Sequence, residues 1–109
     1  MSQNAREIIL SLPTRLKPGT ADGLNFYYHF IISGSRGGSF TVSIADGRCH
    51  VSESLTGDEP KCVTQTSDET YEEVEYGRTN AQMAVMFGKI KVSNIPSMLK
   101  FVEMFNRLS

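Results

Sequence analysis

Three stretches in which apolar and polar residues alternate constrain this chain more than any other feature of its sequence. The glycine-rich GSRGGS separates LNFYYHFIISG from FTVSIA, and Asp46-Gly47 separates FTVSIA from RCHVSE. A period of two is typical of a strand with one buried face, and Asp-Gly between two such strands is a strong hairpin signal. The sequence therefore predicts three strands whose inward residues are Leu24, Phe26, Tyr28, Phe30, Ile32, Phe40, Val42, Ile44, Cys49 and Val51.

A fourth strand, KCVTQT, follows after a loop, and helical signals lie on both sides of the strands. We expect three successive hairpins to join the four strands into an antiparallel sheet. Upstream, AREIILSL predicts a helix that ends at Pro13. Downstream, Ser67 caps a short acidic helix that closes at Gly77, and a second short helix starts near Thr79 or Asn80 and ends at Gly88.

The C-terminal residues complete the pattern with a strand and a helix. KIKV predicts a fifth short strand, and Pro96 suits the first turn of a last helix. The apolar face of that helix carries Met98, Phe101, Val102, Phe105 and Leu108. The order of elements predicts one α+β domain over residues 1–109, a five-stranded, mostly antiparallel sheet with helices packed on one face.

The composition limits the classes of partner and the cellular location. A net charge of −1 does not supply the basic surface with which a protein neutralises nucleic-acid phosphates, so we expect no nucleic-acid partner. No apolar run approaches the roughly 20 residues that span a bilayer, and the N-terminus lacks the pattern of a secretory leader. Two cysteines are too few for a disulfide-built secreted module. We expect a soluble, cytoplasmic domain.

The candidate catalytic and metal-binding residues form no site in the sequence. Cys49 and His50 are neighbours in a strand and point to opposite faces, which argues against a metal site shared with Cys62. The strand register could set Cys49 opposite Cys62, but a reducing cytosol favours two free thiols. His29 and His50 have the outward parity of their strands. We therefore expect no catalytic residue, no metal, no cofactor and no enzymatic activity.

The acidic stretch DETYEEVE packs five carboxylates into eight residues and has two interpretations. It is a solvated helix face, or it is a docking surface for a basic partner. Nothing in it separates the pKa values of two carboxylates for acid–base catalysis.

Methionine and phenylalanine are concentrated near the C-terminus. Residues 80–105 hold four of the five methionines and three of the six phenylalanines. Methionine is flexible and suits surfaces that accommodate more than one shape, whereas apolar stripes at helical spacing usually form core. The residues alone leave open whether this segment lines an apolar cavity or is plain core.

The ordered series of these segments resembles the sterol carrier protein-type lipid-transfer domain. LPTRLKPGTADGLNFYYHFIISG is similar to that family's opening helix and first strand, and GGSFTVSIADGRCHVSE to its hairpin. The most specific part is SDETYEEVEYGRTNAQMAVMFGKIKVSN, with two glycine-ended helices before a Lys-x-Lys-Val strand. Cys62, Thr64 and Thr66 depart from the family, whose fourth strand is usually apolar on its inner face.

The resemblance implies an apolar pocket between sheet and helices that holds a fatty acid, acyl-CoA or sterol-like lipid. It implies a non-enzymatic carrier, with the lipid as partner and a transient membrane or protein contact during transfer. The alternative is a closed-core interaction or accessory module of the same fold. The implied ligand-binding residues are Phe40, Val42, Ile44, Met83, Met86, Phe87, Ile90, Phe101 and Phe105.

Overall fold

The helices and strands follow the predicted order, with one short helix added near the N-terminus. The computed structural model describes residues 3–57, 59–106 and 108. The elements are α1 (Ala5–Leu10), α2 (Leu12–Arg15), β1 (Phe26–Ser33), β2 (Gly38–Ala45), β3 (Arg48–Ser52), β4 (Cys62–Ser67), α3 (Asp68–Glu75), α4 (Ala81–Met86), β5 (Ile90–Val92) and α5 (Ile95–Val102). None of the described helices is long and apolar enough to cross a membrane.

The five strands form one mixed sheet in the order β3-β2-β1-β4-β5. Three of the four pairings are antiparallel, and β1 pairs with β4 in parallel. The prediction of three successive hairpins is wrong at the third, because β3 and β4 are not neighbours. The connection between them crosses the outer face of the sheet, where the Glu59 N–H donates to Tyr27 Oη and His29 Nε2 lies 2.8 Å from the Thr56 carbonyl oxygen.

The strand order also separates the two cysteines. Cys49 lies opposite Ile44 on β2, whereas Cys62 lies opposite Tyr28 on β1. Two strands stand between them, a distance of about 14 Å at the usual strand spacing, which no disulfide can bridge. Both are buried free thiols.

The inner face of the sheet is apolar over β1 and β2. Ile8 and Ile9 of α1 are buried in the same core as Phe40, Val42 and Ile44 of β2. Leu24, predicted to begin the first strand, lies before β1 and is exposed. The β2–β3 hairpin turns at Asp46 and Gly47, whose φ angles of 55° and 74° confirm the predicted two-residue turn.

The helices begin where polar side chains can cap them. Asn4 and Glu7 form a reciprocal capping box at α1, and the side chains of Ser67, Asn80 and Asn94 each accept from the first turn of the following helix. Pro13 does not end the first helix as predicted. It lies in the first turn of α2, where its missing N–H costs nothing.

The acidic helix α3 is bound into the domain by two of its carboxylates. Asp68 is buried and accepts from the backbone N–H of Arg36, and this hydrogen bond holds the pKa of its carboxyl below the ordinary value. Glu72 Oε2 accepts from the Ala5 N–H and from Arg36 Nε, at 2.8 Å and 2.9 Å. GSRGGS therefore acts as a turn that supplies Arg36 to α3, in agreement with its prediction as a turn.

The last helix is shorter than its apolar pattern predicted. It ends at Val102, and Phe105 lies beyond it in an isolated antiparallel bridge with Leu16. Two backbone hydrogen bonds connect the segment after α5 to the end of α2 and the residues that follow it: the Lys17 N–H donates to the Met104 carbonyl, and the Asn106 N–H donates to the Arg15 carbonyl.

Candidate ligand-binding cavity

The floor of the cavity is the inner face of β1, β4 and β5. Phe30, Thr64 and Val92 lie side by side across these three strands, and Thr66 lies beside Ile90 in the next row. All five residues line the cavity. Because side chains alternate along a strand, the inner face of β4 presents both of its threonines here.

Three helices and the end of the chain cover this floor. The covering residues come from α3, α4, α5 and the segment after α5, and they are Tyr71, Val74, Glu75, Ala81, Val85, Met98, Phe101, Val102 and Phe105, with Leu12 at the side. Ala81 and Val102 are exposed, so the cavity reaches the surface between α4 and α5.

One wall of the cavity is held by aromatic rings that pack around Phe101. Phe101 lies 4.4 Å from Tyr28, 5.9 Å from Phe30 and 4.9 Å from Phe105, measured between ring centroids. Tyr28 itself is fixed by a 2.6 Å hydrogen bond from its hydroxyl to the Ser97 carbonyl in α5. These contacts make α5 a firm wall, because its inner side is held by both packing and a buried hydrogen bond.

The cavity encloses about 160 Å³. A cavity of about 150 Å³ with an apolar lining can take up one benzene molecule. Pockets for larger ligands usually occupy about 300–1,000 Å³. The space therefore fits one ring or a short chain, and a longer molecule must extend through the mouth or push the helices apart.

Four polar side chains interrupt the apolar lining. Thr66 Oγ1 donates to the Lys89 carbonyl at 2.9 Å, whereas Thr64 Oγ1 is buried and has no hydrogen-bond partner among the described residues. Burial, and then the nearby Glu75 carboxylate, raise the pKa of Tyr71 well above its ordinary value, so its hydroxyl stays neutral. Glu75 is the one charged residue among those described in the lining.

The structure places three of the nine predicted ligand-binding residues in the cavity, namely Ile90, Phe101 and Phe105. Phe40, Val42 and Ile44 lie on the inner face of β2, in the other half of the sheet. There they pack in the closed core and do not line the cavity.

The other three predicted residues lie on the surface around α4. Met83, Met86 and Phe87 are 52%, 80% and 69% exposed, and the lining residues of α4 are Ala81 and Val85 instead. Sequence reasoning also missed Tyr71 and Val74. They are the two residues of DETYEEVE with large apolar side chains, spaced three apart, and that spacing was the available signal.

A family model described as the SCP-2 sterol transfer family matches residues 9–106. The match includes the strands of the floor and the three helices of the cover. None of the curated proteins compared with this chain is similar to it at a significant level.

Solved structures share the fold at low identity. The sterol carrier protein domain 2 of Helicoverpa armigera is 22% identical with a TM-score of 0.68, over 90% of this chain and 80% of that one. Palmitated SCP2L2 from Aedes aegypti is 14% identical with a TM-score of 0.63, over 94% of each chain.

A larger enzyme contains the same fold. The inverting sec-alkylsulfatase Pisa1 from Pseudomonas sp. is 11% identical with a TM-score of 0.80, over 95% of this chain. This chain spans only 16% of the sulfatase.

Proposed function

The chain belongs to the SCP-2 sterol transfer family, and on that premise we propose that it binds one apolar or amphipathic small molecule and carries it without altering it. The observation that supports this proposal most is the apolar cavity between the sheet and α3, α4 and α5. Burial of apolar ligand surface there contributes roughly 25 cal/mol per Å² removed from water.

The lining supports a carrier rather than a catalyst. It holds no histidine or cysteine among the described residues, and its one carboxylate, that of Glu75, helps to raise the pKa of Tyr71 rather than to activate that hydroxyl as a nucleophile. The hydroxyls of Thr64 and Thr66 on the floor contact no general base among the described residues, because Thr66 donates to the Lys89 carbonyl and Thr64 has no hydrogen-bond partner there.

The alternative of a closed-core interaction module has less support. Its candidate docking surface was the acidic helix, and two of the carboxylates on α3, those of Asp68 and Glu72, are already bonded to Arg36. A basic partner would have to compete with these internal contacts.

The test is the melting temperature of the delipidated chain with palmitic acid, palmitoyl-CoA and cholesterol. The Aedes aegypti relative is palmitated, which makes palmitic acid the first choice. A ligand at 100 times its Kd adds about 2.7 kcal/mol of stability, which corresponds to about 10 °C for a domain of this size. No shift with any of the three would overturn the proposal in favour of the interaction module.

A matched pair of variants locates the binding. Val102 and Leu99 lie on α5 with similar exposure, 59% and 55%, but only Val102 lines the cavity. Val102→Trp should narrow the mouth and abolish the ligand-induced shift, while Leu99→Trp should retain it. Equal responses from the two variants would place any binding outside the cavity.

A further inference from the structure

Two threonines on one strand face differ in how their hydroxyls are used. Thr64 and Thr66 both lie on β4, line the cavity and are buried, with 5% and 9% of their surface exposed. Thr66 Oγ1 is satisfied by the Lys89 carbonyl. Thr64 Oγ1 has no partner among the described residues, and its neighbours across the sheet are Phe30 and Val92, which offer no side-chain hydrogen bond.

An unpartnered buried hydroxyl is costly, so this position has a reason to be threonine other than stability. The oxygen is screened from solvent in the conformation observed. A rotation of about 120° about χ1 moves Oγ1 to the position that Cγ2 occupied and moves Cγ2 to the position of the hydrogen on Cβ. Because the hydroxyl has no partner in the part of the chain that the structure describes, this rotation breaks no hydrogen bond there and makes Oγ1 available to a molecule in the cavity.

The charge of the lining restricts what that molecule can be. Glu75 is the single charged residue of the lining as described, and it is negative. A ligand carboxylate inside the cavity would have no cationic partner and would lie in the same small space as Glu75. Burying a charge without a partner is far costlier than burying a neutral hydroxyl or carbonyl that is hydrogen-bonded.

The volume restricts the size of the buried part. About 160 Å³ holds one ring or a short chain. The remainder of a longer ligand would leave between Ala81 and Val102, where α4 and α5 present exposed apolar side chains.

We propose, on the basis of the ligand-binding function above, that the cavity takes a neutral oxygen-bearing head of about one ring, hydrogen-bonded to Thr64 Oγ1. The ligand class is an alcohol, phenol, ketone or quinone on an apolar body, inserted with the oxygenated end first. A carboxylate-bearing end stays outside.

Three probes that each contain one benzene ring test this selection: toluene, p-cresol and benzoate. Their affinities for the delipidated full chain and for the Thr64→Val and Thr66→Val variants are measured by isothermal titration calorimetry. We expect the wild-type chain to bind p-cresol and toluene but not benzoate. Thr64→Val should weaken p-cresol about tenfold, the worth of one hydrogen bond in a buried site, and change toluene less than about twofold. The Thr66 hydroxyl is bonded to the Lys89 carbonyl and not to the ligand, so Thr66→Val should leave the ratio of the p-cresol and toluene affinities unchanged.

The outcomes separate the two proposals. If toluene and p-cresol bind but their ratio is the same in the wild type and Thr64→Val, the role of Thr64 is overturned and the carrier function stands. Tight binding of benzoate would likewise overturn the selection for neutral heads. If none of the probes binds and the three lipids give no shift in melting temperature, both proposals are overturned.

Discussion

Thr64 and Thr66 line the same cavity, but only the Thr66 hydroxyl has a hydrogen-bond partner among the described residues, so removing each hydroxyl should change the free energy of unfolding in opposite directions. Removing the unsatisfied hydroxyl in Thr64→Val should raise the free energy of unfolding by about 1 kcal/mol. Removing the bonded one in Thr66→Val should lower it by about 1 kcal/mol, because the Lys89 carbonyl loses its donor. Urea denaturation of the ligand-free variants checks both signs. A loss of stability in Thr64→Val would show that its hydroxyl already has a partner.

Cys49 provides a second test at the scale of one side chain. Burial raises the pKa of its thiol to about 11 from an ordinary 9.0. At pH 8 only about one thiol in a thousand is then ionised, against about one in ten when exposed, and the thiolate is the reactive form. We expect labelling by a disulfide reagent in a Cys62→Ala background to be at least about a hundredfold slower in the native chain than in urea. Equal rates in the two conditions would contradict the burial of Cys49.

Among the elements, α4 is the one least fixed over the cavity. It has six residues, of which only Ala84 is buried, and it packs on the short edge strand β5. Gly77 and Gly88 lie on either side of it with φ angles of 74° and 76°, which glycine adopts without strain. By contrast, α3 is bonded to Arg36 and α5 is fixed through Tyr28. Any enlargement of the cavity for a longer ligand should therefore begin at α4.

Amide hydrogen exchange tests this role of α4. The N–H groups of Ala84 and of Phe87, the residue that caps the C-terminal end of α4, form the helical hydrogen bonds of α4, and that of Tyr76 is bonded at the end of α3. We expect the two α4 amides to exchange about tenfold faster than the Tyr76 amide, because local opening needs less free energy where few apolar contacts hold an element. A bound ligand should reduce this difference. Protection of α4 equal to that of α3 in the ligand-free chain would contradict a movable cover.

Local sequence patterns predict some structural elements and their ends, but not which strands pair. The hairpin at Asp46-Gly47 and the capping residue Ser67 could be predicted because their signals lie within a few residues of the structures they form. The parallel pairing of β4 with β1 could not, since it joins residues as distant as Tyr28 and Cys62 and an alternating strand fits more than one neighbour.

The cavity was predictable only in part for the same kind of reason. Phe101 and Phe105 belong to the predicted apolar face of the C-terminal helix, and the resemblance implies both as ligand-binding residues. In α4, the resemblance implies Met83 and Met86, whereas Val85 lines the cavity, because a pattern of only six residues does not indicate which face turns inward. Thr64 and Thr66 depart from the family pattern in the sequence, but only the structure shows that Thr64 has no hydrogen-bond partner among the described residues.

For the whole molecule, buried neutral groups set an alkaline limit on stability. The pKa of Cys49 is raised to about 11, and burial, followed by the nearby Cys62, raises that of Tyr28 to about 12 from 10.0. In the folded chain both groups are protonated. Their contribution to the free energy of unfolding is therefore complete below the unfolded pKa values of about 9 and 10. It is lost as the pH rises through the folded values, because the unfolded chain releases these protons first.

We therefore expect the urea midpoint to be constant from pH 7 to about pH 9 and then to fall steadily. Cys49→Val should remove the part of the fall that begins near pH 9. Tyr28→Phe should reduce the part that begins near pH 10, to which the buried Tyr71 also contributes. A midpoint that does not change up to pH 11 would contradict the burial of both groups.

Methyl NMR of the methionines shows whether an apolar molecule enters the space beneath α3, α4 and α5. Met98 lines the cavity, whereas Met83 and Met86 are exposed on α4 outside the lining. Toluene is titrated into the delipidated chain labelled with ¹³C at the methionine methyl groups, and each signal is assigned by a Met→Leu substitution. We predict that the Met98 signal shifts most and saturates at one equivalent. A Met98 signal that stays in place while those of Met83 and Met86 move would contradict the cavity as the binding site.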